Sequence, residues 1–133
     1  MSGVDIIGAL LLADTAVTDF VPPSMIKAGR LPDGVSSRSL VVRSISLVER
    51  VTLKREALVR VRERVSVTIR AANYDDQKAL TKLVRDACAG RTGTIANFDA
   101  VSVIAAGTGP DVNGPADTFE KAQDFMVGFN EPV

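Results

Sequence analysis

The stretch VRVRERVSVTIR, residues 59–70, does most to limit what this chain can become. Val59, Val61, Val65, Val67 and Ile69 recur at every second residue, with Glu63 the one interruption. Arg60, Arg62, Arg64, Ser66, Thr68 and Arg70 take the alternate positions. Side chains alternate between the two faces of a strand, so the pattern fits a strand with one core face and one wet face, not a helix. Leu58 to Ala71 is therefore expected to be a long strand. Ser39 to Glu49, SLVVRSISLVE, is rich in β-branched residues and is its natural neighbour. RVTLKREA links the two, as a loop or as a long hairpin arm. Further strands are expected around Ala100 to Ala106 and Phe119 to Phe129, with GTGPDVNGPAD between them as a flexible hairpin loop. A short extended piece is expected near SMIKAG, and Pro32-Asp33-Gly34 signals a turn.

Two segments carry helical spacing instead. Val4, Ile7, Leu10 and Leu11 mark an amphipathic helix over Val4 to Ala13. Asp14 is placed to cap a further short turn, which Pro22-Pro23 ends. Leu80, Leu83, Val84, Ala87 and Cys88 form one apolar stripe behind Asn73 as N-cap, with Asp75 and Asp76 in the first turn, where the helix dipole favours negative charge. Gly90 is the natural residue just past that helix. The expected layout is α+β: a largely antiparallel sheet with two main helices packed on one face. At 133 residues the chain is long enough for one domain with a real core.

Composition closes off most catalytic chemistry. The chain has no histidine, which removes imidazole bases, Ser-His-Asp and Cys-His systems and most zinc sites. Its single cysteine, Cys88, falls on the apolar stripe, where a small core residue is expected. Gly107, Gly109 and Gly114 lack the Lys-Ser/Thr of a phosphate loop. Asp75-Asp76 has a sufficient explanation at a helix start, without a metal. Asp117, Glu120 and Asp124 give no acid–base pair with a reason for shifted pKa values. The expectation is no enzyme, no cofactor and no metal. The opening MSGVDIIGALLLAD is too short and lacks the basic leader of a signal peptide, and no membrane span is expected. With aromatics at 5%, a base-stacking platform is hard to build.

Charge is balanced in total, 16 basic against 16 acidic residues, but not along the chain. Between Arg38 and Arg70 stand 9 basic residues against 3 acidic ones; from Asp86 onward, 7 acidic against 2 basic. A basic middle and an acidic end allow copies to join head to tail. They equally allow the acidic last strands to lie beside the basic ones in one sheet. The arginine face itself has three readings: a solvated face, a protein–protein surface, or a contact with nucleic acid. Candidate contact residues are Arg50, Lys54, Arg55, Arg60, Arg62, Arg64 and Arg70. The apolar positions of the final strand, Phe125, Val127 and Phe129, are the uncharged alternative.

The order IIGALLLADTAVTDFV, AGRLPDG, SLVVRSIS, then a strand running into ANYDDQKALTKLVRDAC and a final hairpin, resembles the tail-completion or tail-terminator proteins of long-tailed bacteriophages and prophages. The resemblance spans nearly the whole chain, and FEKAQDFMVGFN is shorter and poorer in aromatics than it would suggest. It implies a single α+β domain over 1–133 that forms a homo-oligomeric ring, usually a hexamer, on the head-proximal end of the tail tube. Its partners would be copies of itself, the tail tube protein and the head's connector, with non-specific DNA contact in the lumen. Such a protein would be made in the host cytoplasm and reside in the virion tail or neck. Two rivals stand beside it: a head-side closure or adaptor protein, and a small nucleic-acid-binding module using the Arg60/Arg62/Arg64 face.

Overall fold

The computed structural model describes residues 2–29, 38–49, 58–113 and 118–132. Helices α1 (Ser2–Ala13) and α2 (Thr15–Phe20) come first, and Asp14 Oδ1 accepts the Val17 N–H at 3.2 Å to cap α2. A 3-10 turn, Pro23–Met25, leads into β1 (Ile26–Ala28). Strands β2 (Ser39–Glu49) and β3 (Leu58–Ala71) have the bounds expected from β-branched content and from alternation respectively. Asn73 Oδ1 accepts the Asp76 N–H at 2.8 Å and opens α3 (Tyr74–Cys88), after which Gly90 takes φ of +77°. Strands β4 (Thr92–Ile95), β5 (Phe98–Thr108), β6 (Val112–Asn113) and β7 (Phe119–Pro132) complete the order. The turn signal at Pro32-Gly34 and the linker over 50–57 lie outside the described residues.

The strands form one sheet in the order β1-β2-β3-β7-β5-β4, with β6 on the end of β7. Every described pairing is antiparallel except β1 with β2. The fold is α+β, as expected. β4 and β6 are additions to the expected strands. β4 joins β5 through Ala96 and Asn97, both left-handed at φ 52° and 67°, the backbone of a tight primed turn. β7 is longer than its sequence pattern suggests and takes a central place, paired with β3 from Phe119 to Pro132 and with β5 on its other side.

The helices lie on one face of this sheet. Val61, Val65, Val67 and Ile69 are fully buried beneath them, together with Leu80, Val84, Ala87 and Cys88 of α3 and Ile6, Ile7 and Leu11 of α1. Each valine, isoleucine or leucine among them contributes about 1.5–3 kcal/mol on leaving water. Glu63 interrupts the valine series because it has a separate task. It is fully buried, and its Oε1 accepts the Gly3 N–H at 3.1 Å, at the positive end of α1. Gly3 has to be small here: a Cβ on it would stand 2.7 Å from Glu63 Cδ.

Candidate assembly interface

The other face of the sheet carries the arginines, and most of them are already engaged within the chain. Arg64 and Asp124 sit diagonally on adjacent strands, Asp124 two residues from Met126, which lies opposite Arg64. Nε and Nη2 of Arg64 reach Asp124 Oδ2 at 3.0 and 2.9 Å, and Nη2 also donates to the Ala106 carbonyl at 3.2 Å. Arg70 lies opposite Glu120, with Nε to Oε2 at 2.6 Å and side chains only 16% and 18% exposed. Arg60 donates to the Ala100 carbonyl at 2.6 Å and to Asn130 Oδ1 at 3.4 Å. Arg38, at the start of β2, stacks over Phe20 at 3.9 Å and pairs with Asp76 at 3.0 Å.

Of the two explanations for the basic middle and acidic end, pairing within one sheet therefore accounts for Arg64 and Arg70. Arg62 and Arg43 differ: both are exposed and make no hydrogen bond or ion pair among the described residues. Arg50, Lys54 and Arg55 lie outside the described residues. The uncharged alternative is corrected. Phe125, Val127 and Phe129 are 0% exposed and point under the helices, opposite Val65, Glu63 and Val61, with Phe98 edge-on to Phe129 at 5.3 Å. Side chains in that position belong to the core and have no surface to offer a partner. Their burial follows from the central place of β7, a long-range fact that an F-x-V-x-F alternation does not disclose.

A second polar cluster escaped the sequence reading. Asp111, in the β5–β6 connection, accepts from Lys121 Nζ at 2.8 Å, from Gln77 Nε2 at 3.3 Å and from the Tyr74 hydroxyl at 3.1 Å. The Lys121 bond, with help from Gln77 and Tyr74, holds its carboxyl below the usual aspartate value. The cluster ties the loop to α3 and β7. Cys88 is buried, and burial, assisted by Asp14, raises its thiol to about 12. Such a thiol is neither a nucleophile nor a metal ligand at neutral pH. Among the described residues no group of three His, Cys, Asp or Glu could hold a metal ion. Nor is any described helix long and apolar enough to cross a membrane.

What this site presents is thus a sheet face with most charges internally satisfied, two free arginines and exposed apolar residues. Comparison with known proteins decides its setting. The family model for tail completion protein gp17 matches residues 6–128. The chain belongs to this family. As a tail completion protein it is a structural component of the virion tail. Its fold is similar to that of a chain from the virion of a native gene transfer agent (GTA) particle, with a TM-score of 0.75 at 11% identity, covering 96% of this chain and 94% of that one. At that identity the likeness establishes the fold. No curated protein matches the sequence.

Proposed function

We propose that this tail completion protein is the tail's terminator: a ring of copies, six by the family resemblance, that caps the head-proximal end of the tail tube and receives the head's connector. The observation that carries the reading is the family match over residues 6–128, which spans the helical layer and nearly the whole sheet. The site supports a binding role rather than turnover. Arg60, Arg64 and Arg70 meet carboxylates or carbonyls of the same chain, Cys88 is sealed in the core, and the chain contains no histidine. We read it as a non-enzymatic subunit, one domain per copy. The nucleic-acid module is the weaker reading, since Arg60, Arg64 and Arg70 spend their charge or their donors internally. Arg43 and Arg62 remain as the contribution of the basic face to a neighbouring protein or to DNA in the lumen.

The test is a deletion of the gene with electron microscopy of the products. Loss of a terminator yields full heads beside unjoined tails of irregular length, and wild-type protein supplied in trans restores joined particles. Heads that lose their DNA beside tails of normal length would instead place the protein on the head side.

A further inference from the structure

Two stretches of strand edge have no neighbouring strand among the described residues. β1 covers β2 only from Leu40 to Val42, which leaves the outer edge of β2 open from Arg43 to Glu49. On the far side of the sheet, β4 covers β5 between Phe98 and Ser102. Val103 is the last residue held there: its N–H donates to the Arg91 carbonyl at 3.0 Å and its carbonyl accepts from the Gly90 N–H at 2.8 Å. From Ile104 to Thr108 the outer edge of β5 is open. Among the described residues, four of the seven exposed large apolar ones sit on these two edges: Ile45 at 57%, Leu47 at 46% and Val48 at 67% exposure on β2, and Ile104 at 64% on β5. An open strand edge with exposed apolar side chains is a template for another strand.

We propose that the two edges are each other's partner between copies, the β2 edge of one subunit pairing with the β5 edge of the next so that the sheet continues around the assembly. Three observations select a second copy as the occupant. The first is direction. β2, β3, β7 and β5 alternate in sense, so β2 and β5 run opposite ways. A copy rotated about an axis roughly along the strands brings its β5 antiparallel to the first copy's β2, with the same sheet face outward.

The second is sidedness. Val48 lies opposite Arg62, and Ile104 opposite Met126, which itself faces Arg64; the register thus sets Val48 and Ile104 on the same face. Edge pairing would cover the two most exposed large apolar residues of the described chain with one another. The third is shape and charge. Both edges carry a bulge, between Ser44 and Ser46 on β2 and between Ala105 and Gly107 on β5. Bulges bend a strand and twist it away from a flat, arbitrary partner. The stretch from Ile104 to Thr108 has no charge to oppose Arg43. The contact is heterologous, as a closed ring requires. The inference rests on the ring reading only for closure.

Paired cysteines test it. The double variant V48C/I104C, treated with a short bismaleimide, should give a ladder of cross-linked species that stops at the ring number. V48C alone and I104C alone should give at least tenfold less product, and a mixture of the two should stop at dimers. Because Val48 and Ile104 are exposed, these variants keep the fold, and buried Cys88 does not compete. In parallel, sedimentation velocity should show the ring lost in I104K and regained in V48E/I104K. A ladder that grows without end would uphold the edge contact and overturn the closed ring. An intact ring in I104K with no ladder in V48C/I104C would overturn the edge contact and leave the ring standing. Protein that stays monomeric and gives no ladder at any concentration would overturn both.

Discussion

Replacing Gly3 by alanine sets helix propensity directly against packing. On propensity alone the change stabilises α1, by at most about 1 kcal/mol, since glycine is the poorer helix former. The new methyl would, however, lie 2.7 Å from Glu63 Cδ and 2.8 Å from Oε1. A carboxylate on a flexible stem normally steps aside. Here it is fully buried and holds the Gly3 N–H, so either α1 lifts from the sheet or the bond to the helix start is lost. Overpacking of this kind costs about 1–3 kcal/mol, and a buried hydrogen-bonding group left without its partner about 1–3 kcal/mol. Packing wins, and Gly3→Ala should be destabilising by about 1–2 kcal/mol net. Urea unfolding followed by circular dichroism measures this as a lower midpoint at unchanged slope. Glu63→Asp withdraws the carboxylate by one methylene, so it should cost less in the Gly3→Ala background than in wild type. A coupling of about 0.5–3 kcal/mol is the expected signature of two groups in contact. A Gly3→Ala protein more stable than wild type, with additive Glu63→Asp, would refute the argument.

Three further outcomes follow from the same structure. Val61→Asp puts a charge where the side chain is 0% exposed and should cost several kcal/mol, while Arg62→Ala, on the wet face and unpaired, should shift the urea midpoint little; equal losses would overturn the two-faced reading of β3. Asp111 has its pKa lowered by Lys121, Gln77 and Tyr74, so its contribution to stability is complete above the ordinary aspartate pKa and is lost as pH falls through the lowered folded value. Asp111→Asn should therefore be less stable than wild type at pH 7, with the gap closing in acid; a gap independent of pH would contradict this. Cys88, raised to about 12 by burial, should resist maleimide at neutral pH in the native protein and react in full in urea, as mass spectrometry reads directly.

Alternation made β3 legible, because period-two burial is written in adjacent positions such as Val61 and Arg62, and the β-branched content of β2 marked that strand. The stripe and caps of α3 were legible for the same reason: Asn73, Asp76 and Leu80 act within a turn or two. Gln77 and Thr81, both buried, were not, since Thr81 satisfies its hydroxyl on the Gln77 carbonyl and Gln77 binds across to β7. The short β4 was hidden by its glycine and its exposed residues, although Ala-Asn before Phe98 was a usable hairpin cue. Partner choice was the hardest part. Arg64 meets Asp124 and Arg70 meets Glu120 across 60 and 50 residues of sequence. Those pairs exist only because β7 enters beside β3, a matter of topology rather than local pattern. For the same reason the candidate contact site shifted from Phe125, Val127 and Phe129 to the strand edges.

The place of β7 also sets a timetable. It is the latest strand in chain order, yet it separates β3 from β5 and bonds to both. A nascent chain that has made everything up to β5 still lacks the strand that carries Phe125, Val127 and Phe129 into the core, and β5 has no fixed address. Non-local pairing of this kind is slow to form, because a long loop must close before any contact rewards it. A half-made chain therefore has no finished β5 edge. If copies join through that edge, as proposed above, assembly waits until synthesis is complete.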